Sequence, residues 1–310
     1  MASPGAPRAP IGTHDVLPPG SARWEGLLYG ATSSLAPFAY LYVPSRLLVQ
    51  NDALATADRV RASEGLLRAA IWAELYGVTI LVFAALALYE LFKRVDQKTA
   101  WVAAAMILVS VPISYVNTLF NIAPLVLLKS PAIDAVLDPG QVAAHVTLYL
   151  RLHNYGLVVN QIFWGLWLIP IGLLVLRSGF TPRWLAWPLF AAGTGYVLHS
   201  LGGLFLPPSL RWITESLQVL GAGEAPFTLY LMIWGARGHA ADRIAALLVV
   251  VPVVLGIAAL VLLMGNRIDA TQYAAVQLAK LAIAIGLVMR WRHEERSSGS
   301  ATIATAEARS

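Results

Sequence analysis

The chain consists of long apolar runs separated by short polar segments. One run, Ile244–Gly265, contains no charged residue. At about 1.5 Å per residue, a helix of that length spans the roughly 30 Å hydrocarbon core of a bilayer. Because several runs of this kind follow one another, the pattern predicts an all-α fold, a polytopic bundle of about eight transmembrane helices.

The apolar runs predict eight spans, and two adjoining segments carry further helix signals. Asp138-Pro139 has the pattern of an N-cap followed by proline at the first helical position, so the fourth helix should begin well before His145 and exceed a simple crossing. The stretch Asp52–Ser63 can form a short interfacial amphipathic helix whose arginines lie at lipid headgroups. The predicted spans are about 22–44, 66–92, 99–127, 146–176, 184–206, 213–236, 243–265 and 270–291.

These spans divide the chain into four segments. Residues 1–21 are rich in Pro, Gly and Ala and lack the apolar core of a signal peptide, so we expect a disordered tail. Residues 22–237 form a six-helix membrane domain, and residues 238–292 add a transmembrane hairpin. Residues 293–310 are expected to be a second disordered tail.

Lysines and arginines set the expected orientation. With both termini in the cytoplasm, thirteen of them lie in cytoplasmic segments and seven in outer segments, and Arg151 and Lys280 lie within spans. We therefore predict a multi-pass protein of the cytoplasmic membrane with both termini on the cytoplasmic side.

Composition narrows the classes of function. Hydrophobic residues make up 58% of the chain and charged residues 13%. There is no cysteine, which excludes disulfides, thiolate metal sites, iron–sulfur clusters and thiol nucleophiles. The net charge of +5 comes from residues at helix ends, where topology explains it, so we expect no nucleic-acid partner. The expected partners are the lipid bilayer and a small solute or lipid ligand.

Polar side chains inside spans are expensive and usually face the interior of a bundle. In the third span, Ser110, Ser114, Asn117 and Asn121 are spaced i, i+4, i+7 and i+11, which puts all four on one helix face. Similar spacings occur in three other spans: His153 with Asn160 and Asn154 with Gln161 in the fourth, Gly195 with His199 and Gly202 in the fifth, and Tyr273 with Gln277 and Lys280 in the eighth.

Eight of these groups define a candidate ligand-binding pocket. In the predicted orientation they lie about 9–16 Å below the outer face, whereas the cytoplasmic halves of the spans are nearly free of polar groups. The candidate site residues are Glu74, Asn117, Asn121, His153, Asn154, His199, Glu224 and Lys280. We also predict that Lys280 pairs with an acidic residue. Glu224, which lies at matching depth, is the first candidate, and the slightly shallower Glu74 is the second.

The same residues admit other interpretations. Each could serve only as a hydrogen bond between helices. His153, His199, Glu74 and Glu224 could converge on a metal, but no H-E-x-x-H pair requires it, and we expect no metal or cofactor. Two axial histidines could hold haem. Ser200 lacks the context of a serine nucleophile.

Two stretches resemble a bacterial membrane family. They are SRLLVQNDALATADRVRASEGLLRAAIWAEL (Ser45–Leu75) and LHNYGLVVNQIFWGLWLIPIGLLVLRSGFTPRWLAWPLFAAGTGYVLHSLGGLFLP (Leu152–Pro207), and the turn Arg177–Leu185 is the most specific match. The chain resembles, over about residues 23–237, the family catalogued as domain of unknown function 4386. The resemblance implies a bacterial inner-membrane location and brings no activity or catalytic residues.

Three classes of function follow from the sequence. The leading hypothesis is a protein that binds, senses or moves a small solute or lipid through an outward-biased polar pocket. The first alternative is an intramembrane enzyme acting on lipid, such as a metal hydrolase, with His153 and His199 as ligands or acid/base groups. The second alternative is a structural or partner-binding membrane subunit.

Overall fold

The computed structural model describes residues 35–234 together with Gly26, Tyr29 and Gly30. The predicted spans 243–265 and 270–291, both predicted tails and Lys280 lie outside the described residues. The described part is helical and contains no strand. A π-helical turn, Phe38–Tyr42, leads into the first α-helix, and 3-10 turns lie at Arg183–Leu185, Pro208–Leu210 and Gln218–Gly223. The α-helices are α1 Val43–Leu47, α2 Ala53–Ala62, α3 Glu64–Leu127, α4 Pro131–Asp134, α5 Pro139–Ser178, α6 Ala186–Phe205, α7 Arg211–Leu217 and α8 Glu224–Trp234.

The long helix α3 is two antiparallel arms joined at Asp96, where φ is −157° and ψ is 102°. The Asp96 carboxylate accepts hydrogen bonds from the Thr99 backbone N–H at 3.2 Å and from its hydroxyl at 2.9 Å. Asp96 is therefore the N-cap of the second arm. The two arms match the spans predicted at 66–92 and 99–127.

The start of α5 confirms the prediction from Asp138-Pro139. The Asp138 side chain accepts from the Gln141 backbone N–H and the Gln141 side chain accepts from the Asp138 backbone, which is a capping box. The helix ends at Gly179, whose φ of 70° favours glycine. Its 40 residues measure roughly 60 Å, about twice the hydrocarbon thickness. Helix α2, capped by Asp52, confirms the short helix expected in the loop before α3.

The sixth predicted span, 213–236, is corrected by the structure. It is not one helix but α7, the 3-10 turn Gln218–Gly223 and α8. The two glycines of the turn let it lie against α6, because a side chain at Gly221 would overlap Tyr196 and one at Gly223 would overlap the Pro188 carbonyl. The turn packs closely on α6, and a hydropathy pattern does not reveal such a contact.

Two ion pairs mark the ends of the bundle. Glu64 and Lys129 meet at 2.7 Å at one end, and Asp96 and Arg177 meet at 2.8 Å at the other. We call these the Glu64 end and the Asp96 end. The first arm of α3 and α5 run from the Glu64 end to the Asp96 end, and the second arm of α3 runs back.

The buried apolar residues form two clusters, one toward each end. The cluster toward the Asp96 end includes Leu88, Phe92, Ile107 and Leu174. The cluster toward the Glu64 end packs α1 and α2 against the first part of α5 and includes Leu47, Val60, Leu67, Val146 and Leu150. A layer of buried polar side chains lies between the two clusters.

Helices α5 and α6 cross at a pair of glycines. A Cβ atom added to Gly165 would lie 2.5 Å from the Gly193 carbonyl oxygen, and one added to Gly193 would lie 2.7 Å from the Gly165 oxygen. The two backbones therefore touch directly, which is how small residues allow close helix packing. Gly195 allows a similar close approach by the following helix α7, since its Cβ would lie 2.9 Å from the Leu217 carbonyl oxygen.

Candidate functional site

The polar stripe of the third predicted span is buried on the second arm of α3. Ser110, Ser114, Asn117 and Asn121 are between 0% and 6% exposed. The stripe faces α5 and the first arm of α3, because Asn117 and Ser114 bond to residues of α5 and Asn121 bonds to Glu74. The i, i+4, i+7, i+11 spacing therefore identified an interior face.

Glu74 is the centre of the largest hydrogen-bonded group in the layer, which we call the Glu74 group. The side chain is 2% exposed. Its Oε1 accepts from Asn121 Nδ2 at 2.9 Å, and its Oε2 accepts from the Thr118 hydroxyl at 3.2 Å. His153 Nε2 lies 3.1 Å from the same Oε2. Three hydrogen-bonding partners thus surround one buried carboxyl group and satisfy its oxygens.

His153 meets the Glu74 carboxyl through one ring nitrogen, Nε2, which leaves the other ring nitrogen, Nδ1, outside this contact. Among the described residues no hydrogen bond to His153 Nδ1 is present, and His153 borders a cleft.

Asn117 supports this group from the neighbouring turn. Its Nδ2 donates to the His153 carbonyl oxygen at 3.0 Å. The side chain reaches that oxygen only because position 156 is glycine: a Cβ at Gly156 would overlap the Asn117 amide. Asn117 therefore joins the second arm of α3 to α5 beside the Glu74–His153 pair.

A second polar group lies deeper along α5. Asn160 Nδ2 donates to Ser114 Oγ at 2.6 Å and to the Ser110 carbonyl at 3.3 Å. Next to it, Gln161 Oε1 lies 2.6 Å from His199 Nδ1 of α6. Gln161 follows His153 by eight residues, so His199 bonds to α5 roughly 12 Å farther along the helix than Glu74 does.

Glu224 belongs to a third group. It lies at the start of α8, directly after the 3-10 turn, and the hydroxyls of Tyr29 and Tyr196 both hydrogen-bond to its carboxylate. The expected pair between Glu224 and Lys280 stays a prediction, because Lys280 lies outside the described residues.

A small cleft beside the Glu74 group lies between α1, α3 and α5 and is open on one side. Its polar lining residues are Asn121, His153 and Asn154, and its walls are apolar, with Val43, Leu47 and Leu150 among them. The structure thus brings Glu74, Asn117, Asn121, His153 and Asn154 together. It places His199 and Glu224 in separate hydrogen-bonded groups.

The placement of His199 and Glu224 in separate groups from Glu74 and His153 decides whether the four could bind one metal ion. In the described part of the chain, no three His, Asp or Glu side chains lie close enough to hold a metal ion. Glu74 and His153 meet, but His199 pairs with Gln161 and Glu224 with tyrosines. The four-residue convergence considered from the sequence is therefore not the arrangement of the described helices.

Charges at the two ends are held by local partners. Hydrogen bonds from Lys129 and then Arg68 hold the pKa of the Glu64 carboxyl below its ordinary value. At the other end, the Thr99 backbone N–H and hydroxyl, followed by Arg177, lower the pKa of Asp96. Both pairs are solvent-exposed, so they position the helix ends more than they stabilise the fold.

Three contributors to the polar layer were not singled out from the sequence. Thr118 donates to Glu74, and its signal was present, since it follows Ser114 by four residues on the same face. Gly156 makes room for Asn117, and Tyr29 bonds to Glu224. The last two have no local signal, because each depends on contact with a distant helix.

The chain is similar to one family model and to an uncharacterised relative. The family model described as Domain of unknown function (DUF4386) matches residues 25–235. An uncharacterised protein of Archaeoglobus fulgidus is 29% identical over 103 residues, covering 31% of this chain and 59% of the relative. The chain thus spans less than two thirds of that relative's length. No solved structure matches the chain.

Proposed function

The chain belongs to the DUF4386 family, and we propose that it is a multi-pass membrane protein that binds a small molecule at the Glu74 group. One observation carries the binding proposal: Asn121 and His153, which hydrogen-bond to the buried Glu74 carboxyl, line a cleft whose walls are apolar. Small-molecule sites have this composition, with few polar groups placed among apolar walls.

Helix length and composition support the membrane location. Helices α3 and α5 are both long and apolar enough to cross a bilayer. Between Arg68 and Glu90, roughly 33 Å of the first arm, the one charged side chain is Glu74, which is buried. The second arm has no charged residue between Lys98 and Lys129.

Exposed tryptophans support the same placement. Trp72 is 62% exposed and Trp101 64% exposed. Trp72 lies 24 residues before Asp96, and Trp101 lies five residues after it. Because the two arms of α3 are antiparallel, the two tryptophans are displaced along the bundle axis by roughly 19 residues, or about 28 Å. This separation matches the roughly 30 Å between the two interfaces of a bilayer, where tryptophan concentrates. Trp187 and Trp212, near helix ends, are exposed to a similar degree.

In this placement the Glu74 group lies just inside one interface. Glu74 follows Trp72 by two residues, and His153 follows the exposed Arg151 by two. The Lys/Arg asymmetry of the sequence favours an outer Glu64 end, with both termini cytoplasmic. The proposed site is therefore in the outer leaflet half of the bundle.

The two rival functions have less support. An intramembrane metal hydrolase needs three or four protein ligands, and the described residues do not cluster in that way. A purely structural role explains the Ser110–Asn160 and Gln161–His199 contacts, but it does not explain a cleft beside the Glu74 group.

Single cysteines test the topology, since the chain has none of its own. Lys129→Cys should react with a membrane-impermeant thiol reagent in intact cells, and Lys98→Cys should react only after the membrane is opened. The reverse pattern would invert the orientation, and equal labelling of both from outside would refute the span between them.

Ligand-dependent stabilisation tests the binding. The purified protein should gain thermal stability from at least one compound in a panel of small amines, alcohols, amides and carboxylates. Glu74→Gln and Asn154→Leu should weaken this gain. Thr79→Val is the matched control, because Thr79 bonds to Tyr115 at 2.7 Å between the same two arms on an exposed face. Stabilisation that is equal in all variants would place the ligand elsewhere.

A further inference from the structure

Two neighbouring arginines at the Glu64 end carry positive charge that no acid of the described helices neutralises. Arg46 lies in the last turn of α1 and Arg59 lies on α2, and both side chains are exposed. The Arg59 guanidinium donates to the Arg46 carbonyl oxygen at 3.4 Å, so the two residues adjoin in space although thirteen positions separate them in the sequence. Within the described part of the chain, neither side chain forms an ion pair.

The acids nearest to these arginines in the sequence have partners of their own. Asp58 pairs with Arg61 at 3.0 Å. Glu64 pairs with Lys129 at 2.7 Å, and the Asp52 side chain caps α2 by accepting from its backbone. Compensation of the charge on the two arginines is therefore left to a group outside the described helices.

In the proposed placement, Arg46 lies at the level of the lipid headgroups. Leu47, the next residue, lines the same small cleft as Leu67 and Ala70 of α3. These two residues precede the exposed Trp72 by five and two positions, so Arg46 lies roughly 3–8 Å beyond that tryptophan toward the Glu64 end. The headgroup region extends about 5–8 Å beyond the hydrocarbon core on each side, so this is the level at which lipid phosphates lie.

Two aromatic rings follow Arg46 toward the interior of the bilayer. The Arg46 Cζ atom lies 5.8 Å from the centre of the Tyr42 ring, one turn earlier in the helix. The Tyr42 ring centre lies 5.9 Å from that of Phe38, and both rings are partly exposed. We call Phe38 and Tyr42 the aromatic ladder. A cationic group with apolar rings beneath it follows the order of a phospholipid, in which the phosphate comes first and the acyl chain next.

From the charge, the depth and the aromatic ladder we infer that Arg46 and Arg59 bind the phosphate of an anionic phospholipid in the leaflet at the Glu64 end, with an acyl chain along the ladder. Arginine suits this role because its planar guanidinium forms bidentate hydrogen bonds with phosphate. An anionic lipid is favoured over a zwitterionic one, whose head would add a cation beside two arginines. The inference rests on the proposed membrane placement and requires no ligand at the Glu74 group.

Native mass spectrometry of the full-length purified protein in a neutral detergent measures this binding. Dioleoylphosphatidylglycerol should bind roughly 25-fold more tightly than dioleoylphosphatidylcholine, at about fivefold for each arginine beside an anionic head. Arg46→Gln and Arg59→Gln should each weaken phosphatidylglycerol binding about fivefold, and since both side chains are exposed, the variants should fold. Arg61→Gln is the matched control: it removes one charge from the same helix, but that charge is paired with Asp58, so the loss should stay below about twofold.

Four outcomes would overturn the inference. Equal losses for Arg59→Gln and Arg61→Gln would reduce the effect to net charge, and equal affinity for phosphatidylcholine would remove the preference for an anionic lipid. Displacement of the lipid by excess inorganic phosphate would assign the site to free phosphate. Glu74→Gln should leave lipid binding unchanged, and a loss as large as that of Arg59→Gln would place the lipid at the Glu74 group. Conversely, a small-molecule panel that gives no stabilisation would refute only the proposed binding at the Glu74 group.

Discussion

Replacing Glu74 with alanine should destabilise the protein strongly, and the structure gives the magnitude. The carboxylate accepts from Asn121, His153 and Thr118. The single hydroxyl proton of Thr118 is shared with the Ser114 carbonyl oxygen at 3.0 Å, so this hydroxyl keeps an acceptor without Glu74. Asn121 Nδ2 and His153 Nε2 lose theirs. At about 1–3 kcal/mol for each buried unsatisfied donor, the expected cost is about 2–6 kcal/mol.

Thermal unfolding of the purified protein measures this cost. At roughly 2–4 °C per kcal/mol for a chain of this size, Glu74→Ala should lower the unfolding midpoint by roughly 5–20 °C. Thr118→Val removes one donor and leaves the carboxylate two, so a loss of about 0.5–1.5 kcal/mol is expected. The triple change Glu74→Leu, Asn121→Leu and His153→Leu removes donors and acceptor together and should recover much of the stability. A midpoint for Glu74→Ala within 2 °C of wild type would refute the reasoning.

Two further predictions concern the helix crossing and the far end of the bundle. Gly165→Ala places a Cβ 2.5 Å from the Gly193 oxygen, so α5 and α6 must separate by about 0.9 Å, and we expect a loss of about 1–3 kcal/mol. Gly65→Ala is the control, because a Cβ at Gly65 meets nothing within 4 Å, and its free energy of unfolding should stay unchanged or rise by up to about 1 kcal/mol. Equal effects of the two substitutions in thermal unfolding would contradict the close crossing of α5 and α6. Asp96→Asn tests the N-cap. Because folding lowers the pKa of Asp96, the ionised carboxylate stabilises the folded protein above about pH 4, and this stabilisation disappears as the pH falls through the pKa of Asp96 in the folded state. The difference in midpoint between wild type and Asp96→Asn should thus be constant from pH 5 to 8 and shrink in acid, and a difference that grows in acid would contradict this sign.

Helix starts and buried helix faces could be predicted from the sequence, because they depend on interactions between residues a few positions apart. The capping box at Asp138 and the helix of Ala53–Ala62 depend on residues a few positions apart, and both were predicted. The burial of Ser110, Ser114 and Asn121 followed from the 3.6-residue period, since polar groups that share a face must turn away from lipid. The family resemblance over residues 23–237 was also confirmed, by the match to residues 25–235.

Convergence of the polar residues could not be read from the sequence. Depth along each helix placed Glu74, His153, His199 and Glu224 in one belt, but depth does not say which faces meet. Glu74 and His153 are 79 residues apart in sequence and lie 3.1 Å apart, whereas His199 bonds to Gln161. Rotation of each helix about its axis decides such contacts, and that rotation is set by packing against other helices.

What the sequence by itself determined was therefore which residues are helical, which faces are polar and which ends carry charge. Only the tertiary structure decided that Gly165 and Gly193 let α5 and α6 touch, that a 3-10 turn, Gln218–Gly223, interrupts the sixth predicted span, and that a cleft opens beside His153. The physical reason is the sequence distance over which each interaction acts. Helix propensity, capping and periodicity act within a few residues, whereas a crossing, a break or a cleft depends on the shape of a surface brought from elsewhere in the chain.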